Sequence, residues 1–142
     1  MTVPVRLTDK QLYAYAWDLL ADARGIETWR WTLALVLRSW GASEAAVDIA
    51  RMGLSELLAN IVRHVDDPRC RLSALLDDEQ VRVLVEDRSP SMPVVAEPAW
   101  DAESGRGLWM LRAMCRDMGC RPELGGKTVW FLLDLDPAED AA

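Results

Sequence analysis

The chain has 142 residues, with 16 Lys and Arg against 23 Asp and Glu, a net charge of −7 at neutral pH. At 51% hydrophobic and 27% charged it has a globular composition, and its length fits one domain with its own core. The acid excess excludes the clustered positive charge of a nucleic-acid footprint, and no run approaches the roughly 18 apolar residues of a membrane span.

Residues 1–11 read as a tail or a short leading element. The opening MTVPVRLTDKQ lacks the apolar run of a secretion signal. Cys70, Cys115 and Cys120 have no metal-site spacing and fit a reducing compartment, so the expected location is the cytoplasm. Tyr13 to Leu19 alternates and carries aromatics, which predicts a strand. Ile26, Trp29, Leu33, Val36, Leu37 and Trp40 have helical spacing, and Gly41 is a fitting stop. Trp31 lies off that apolar stripe. Ser43 can cap a second helix, with Val47, Ala50, Leu54, Leu57, Leu58, Ile61 and Val65 as its stripe. It ends before Asp66-Asp67-Pro68, where Pro68 forbids continuation.

Two strands follow, over 71–76 and 80–86, joined by the acidic turn Asp77-Asp78-Glu79. Residues 88–104 hold Pro90, Pro93 and Pro98 without a period and read as a loop, long enough to carry function. Gly105-Arg-Gly107 opens a third helix, with Leu108, Leu111, Met114, Cys115 and Met118 on one face and Gly119 as its stop. Residues 121–124 and 127–135 read as a closing hairpin through Gly125-Gly126. Trp17 and Trp130 fall in strands, and Trp29 and Trp40 in the core of the first helix. The order predicts an α+β fold, a two-layer sandwich with helices on one face of a mostly antiparallel sheet.

Glu56, Asn60 and His64 stand at i, i+4 and i+8, within about 80° of arc on an ideal helix. An amide oxygen can ligate Mg²⁺, which borrows further ligands from water and phosphate. A carboxylate one turn away can deprotonate a nucleophile. Solvated helix edges carry the same residue types, and His64 suits a structural role. Asp87 ends a strand, where it can accept a hydrogen bond from an exocyclic amine or simply open the turn before Ser89-Pro90. In Glu103-Ser-Gly105-Arg-Gly107-Leu108 two glycines precede a helix. They let the backbone approach a phosphate, with free N–H groups aimed at the anion. The third glycine of a dinucleotide fingerprint is missing, and no helix follows Gly126-Lys-Thr128 as a P-loop requires.

Taken in order, these segments resemble the GHKL (Bergerat-type) ATP-binding fold, a histidine-kinase-like ATPase domain expected over residues 12–136, with 137–142 as a tail. Glu56-Leu-Leu-Ala-Asn60-Ile-Val-Arg63-His64 resembles its N-box. Glu103 to Leu111 resembles its second glycine box, and Gly126-Lys-Thr-Val129 its last box. The short stand-alone form resembles bacterial anti-sigma factors with serine/threonine protein kinase activity. The resemblance implies a mixed, mostly antiparallel sheet, with ATP and Mg²⁺ as cofactors. It assigns Mg²⁺ to Asn60, the base that activates a partner's hydroxyl to Glu56, and further nucleotide contacts to Arg63. It assigns the adenine amino group to Asp87 with Thr128 in support. Ser104, Gly105, Arg106, Gly107 and Leu108 would wrap the phosphates, and residues 91–104 would form a lid.

The implied partners are a sigma factor and an STAS-type anti-anti-sigma protein, with homodimerisation also implied. Nucleic acid and membrane are not among them. Residues 87–91 depart from the family's Asp-x-Gly-x-Gly, reading Asp-Arg-Ser-Pro-Ser. The alternative is therefore a non-catalytic protein-binding module on the same fold. A detached histidine-kinase domain would need a phosphoacceptor His on a dimerisation helix, and the lone His64 sits in the N-box instead.

Overall fold

A computed structural model describes residues 5–6, 13–89 and 106–137. Strand β1 (Val5–Arg6) falls within the leading stretch, followed by β2 (Tyr13–Leu20), α1 (Ile26–Ser39) and α2 (Glu44–His64). Then come β3 (Arg69–Asp77), β4 (Gln80–Asp87), α3 (Arg106–Met114), β5 (Asp117–Glu123) and β6 (Gly126–Asp134). The proline-containing loop with its lid, and the site residues Ser104 and Gly105, lie outside the described residues.

The strands form one six-stranded sheet in the order β1-β2-β3-β4-β6-β5. Every pairing is antiparallel among the described residues, so the mixed sheet of the resemblance reduces here to an antiparallel one. Pleating sends Trp17, Leu72, Val83, Val85, Val129 and Phe131 to one face, where they are buried. The helices cover this face. Trp17 and Trp29 meet with ring centroids 6.2 Å apart, and Tyr15 and Trp40 at 5.8 Å, which lays α1 over β2. The other face carries Leu84, Trp130 and Leu132, with the Arg82 guanidinium 5.1 Å from the Trp130 ring centre.

The caps follow local chemistry. Ser43 is extended at the start of α2 and its hydroxyl accepts from the Ala46 N–H at 3.2 Å. Gly41, at φ +85°, takes the left-handed turn after α1, and its N–H donates to the Arg38 carbonyl at 3.0 Å. Trp31 is exposed on α1, as its place off the stripe predicted, and Leu35 is exposed one turn later.

One boundary differs from expectation. The third helix ends at Met114, and Met118 and Gly119 belong to β5. The Arg116 N–H donates to the Leu132 carbonyl at 2.7 Å, which starts the β5–β6 ladder at that point. Met118 and Cys120 then pack on the core from a strand instead of a helix. Gly119 is not a helix stop. It lies under Trp130, whose indole fills the space a Cβ would need. The hairpin turn falls at Leu124-Gly125, with Gly125 at φ +82°.

Helix α2 is central because it meets both the sheet and α3. At Gly53 a Cβ would come within 2.7 Å of Phe131 Cζ and 3.0 Å of Leu111 Cδ1. Gly53→Val therefore overpacks the junction, with an expected loss of about 1–3 kcal/mol in urea unfolding. An unchanged midpoint would show that α2 can lift from β6 freely.

Candidate functional site

The stripe on α2 that buries Leu54, Leu57, Leu58 and Ile61 leaves Glu56 and Asn60 half-buried on its edge. They lie one turn apart, as the spacing required. Asn60 Oδ1 accepts from the Arg63 guanidinium at 2.6 Å. His64, the last residue of α2, is exposed and does not join them.

The first turn of α3 comes up against Glu56. A Cβ on Gly107 would overlap the Glu56 carboxyl group as it is seated here, so a larger residue would displace that side chain. Leu108 is buried and anchors this end of α3 in the core, while Arg106 is exposed at its first position. The structure thus brings together Glu56 and Gly107, which are about fifty residues apart in sequence. The Glu56 carboxylate meets the first turn of α3, with Asn60 one turn further along α2.

Asp87 ends β4, as expected, and its unforeseen partner is Lys127, opposite it on β6. Its side chain is 4% exposed and that of Lys127 9%, so the two form a buried ion pair. The Lys127 ammonium lies 2.9 Å from Oδ2 and 3.1 Å from Oδ1. Oδ1 also accepts from the Ser89 N–H at 2.8 Å. Gly126 precedes Lys127 because a Cβ there would overlap the Asp87 carbonyl.

Thr128 does not support Asp87. It pairs with Glu86, one residue away in register, so the pleat sends its side chain to the opposite face of the sheet. There its hydroxyl donates to Glu123 Oε1 at 3.1 Å. Sequence reasoning took Lys127 only as a link in the last box. Its signal is positional: a Lys following a strand-opening Gly, on the antiparallel neighbour of a strand that ends in Asp.

A cleft of about 750 Å³ opens at this end of the sheet, lined by Arg69, Arg71, Arg88 and Glu123 as well as Asp87 and Lys127. Among the described residues its walls do not include Glu56 or Asn60. Its cations are largely matched. Arg71 pairs with Asp18 at 2.7 Å and Arg69 with Asp67 at 2.7 Å, and Arg69 holds the half-buried Asp67 carboxyl down at about 2. Cys70 also lines the cleft. Burial, with the charges of Asp87 and Asp18 behind it, pushes its thiol up to about 12.

The arrangement fits a nucleotide at one end only. Gly107 and Glu56 form a cradle that a Cβ would fill, and Asn60 offers an oxygen to Mg²⁺ once Arg63 swings away. No group of three or more His, Cys, Asp or Glu side chains suits a metal among the described residues. A metal here would take the rest of its ligands from phosphate and water. At the other end, the Asp87 carboxylate is already held by Lys127.

Residues 19–133 match the family described as histidine kinase-like ATPase domain. The chain belongs to that family. Its fold is also found in the crystal structure of the RsbU and RsbW domains of Rv1364c from Mycobacterium tuberculosis, with a TM-score of 0.65 and 22% identity. That likeness covers 85% of this chain and 31% of the other, so the chain spans about a third of that protein's length. No curated protein matches the chain. For an ATPase-family domain the described site is thus divided, with a glycine-backed carboxylate at one end and a buried ion pair at the other.

The thiols report on this geometry. A thiol pushed up to about 12 carries roughly one thiolate in ten thousand at pH 8. Cys70 is therefore expected to resist a thiol reagent in the folded protein and to react on unfolding, while the half-buried Cys115 and Cys120 react first. Equal rates for all three would refute the burial of Cys70.

Proposed function

We propose that this chain is an anti-sigma regulator of the kinase type. It would hold a sigma factor and phosphorylate a serine or threonine on an STAS-type anti-anti-sigma protein, releasing one partner for the other. The observation that carries this reading is the seating of Glu56 against Gly107, with Asn60 one turn away. In phosphoryl transfer the protein mainly positions groups and stabilises charge. Bound Mg²⁺ would supply charge to the phosphates of ATP. Asn60 would hold the metal. The N–H groups at the start of α3, with Arg106, would face the phosphates. Glu56 would accept the proton of the attacking hydroxyl.

An acidic chain suits this arrangement. With a net charge of −7, it must meet an anionic ligand with backbone amides and a metal instead of a basic patch. No helix among the described residues is long and apolar enough to cross a membrane. A cytoplasmic location and a homodimer belong to the same proposal. The second reading, a non-catalytic protein-binding module, is favoured by one observation, the Lys127 ammonium on Asp87.

Phosphate transfer from γ-labelled ATP to a co-purified STAS partner tests the first reading. Glu56→Ala is expected to keep MgATP binding and to lower transfer by roughly a hundredfold or more. Asn60→Ala is expected to lose the Mg²⁺-dependent part of binding. Transfer by Glu56→Ala at the wild-type rate would remove Glu56 as the base. Partner binding by wild type without any transfer would leave the binding module standing.

A further inference from the structure

We infer that Lys127 sets the base specificity of this site, turning a subsite that would accept an amine into one that donates to a carbonyl. The inference rests on the nucleotide reading above and concerns the opposite end of the same ligand. An exocyclic amine needs a carboxylate lone pair that it can reach without meeting another donor. Asp87 has Lys127 on both oxygens, at 2.9 and 3.1 Å, and the Ser89 N–H on Oδ1 at 2.8 Å. An ammonium carries three protons. The two Asp87 oxygens lie too close together to take separate protons from Nζ, so one N–H serves both, and among the described residues no other acceptor takes the remaining two. Both residues line the cleft, so a remaining proton can meet a ligand atom there.

The chemistry of the ligand follows. A 6-aminopurine would bring its own N–H groups towards an ammonium, leaving a donor facing a donor in a largely buried place. A 6-oxopurine brings an acceptor to the same point. The ligand class expected is therefore a purine nucleotide with a carbonyl at position six, or any nucleotide held by its phosphates without preference for adenine. Replacing Lys127 by a short side chain would free Asp87 and restore selection for the amine. Sites built to bond a polar group discriminate strongly against the analogue that lacks it.

ATP and ITP differ at position six and in the N1 proton that accompanies the carbonyl, and make the test direct. Each is titrated with Mg²⁺ into the wild type, Lys127→Thr, and Asp87→Asn with Lys127→Thr, by calorimetry. The wild type is expected to bind MgITP at least as tightly as MgATP. Lys127→Thr is expected to favour MgATP by roughly tenfold or more, and the double variant to lose that preference. Lys127→Thr leaves a buried carboxylate without its cation, so its fold is checked by circular dichroism. If it does not fold, the wild-type ratio decides alone. A wild type that prefers MgATP tenfold, or a folded Lys127→Thr with an unchanged ratio, overturns the inference and leaves the kinase reading intact. Failure of every form to bind either nucleotide overturns both.

Discussion

Helix α2 lies on β6 so closely that residue 53 has no space for a side chain. That contact sets the rotation of the helix about its axis. With Gly53, Leu54, Leu57, Leu58 and Ile61 turned into the core, Glu56 and Asn60 have only the edge of the helix to occupy. The same edge faces the start of α3, where Leu111 packs beside Gly53 and Leu108 is buried. Packing of Phe131, Leu111 and Gly53 therefore fixes the distance between the Glu56 carboxylate and Gly107. A shift of α2 by a fraction of a side chain would separate Glu56 from Gly107 before it cost the fold its core.

The other end of the site depends on electrostatics instead of packing. A carboxylate at the end of β4 is withdrawn from water, and so is the ammonium beside it. Two such charges are tolerated together and not singly; removing one partner of a buried pair costs about 3–5 kcal/mol. The backbone N–H of Ser89 adds a further bond to the same carboxylate. Residues 87–91 hold no glycine. Residue 89 carries a buried side chain next to the Asp87 carboxylate, and the neighbouring strand carries the cation. Both sides of the carboxylate are thus filled from the protein itself.

Most of the fold was legible because its signals are local. Helices α1 and α2 have unbroken apolar stripes and defined ends at Gly41, Ser43 and Pro68. Strands β3 and β4 alternate cleanly over a tight acidic turn. Strand β5 was not legible. Leu111, Cys115 and Met118 continue a helical spacing, while Met118 and Cys120 also alternate, and over so few residues the two periods coincide. Tertiary pairing decided between them, through the Arg116 to Leu132 bond and the seat of Gly119 under Trp130.

The site divides along the same line. Glu56 and Asn60 share one helix, so their spacing alone places them together. Asp87 and Lys127 share only a cross-strand register, and a register is not written in either strand by itself. Because side chains alternate, a reading one residue out exchanges Lys127 for Thr128 and moves the partner to the far face of the sheet. Both residues are buried, one against a carboxylate on each side, so neither burial nor polarity distinguishes them. What distinguishes them is that the helices cover one face and not the other. A site assembled across a sheet thus inherits its chemistry from the face that is covered. In this chain the covered face carries the cation.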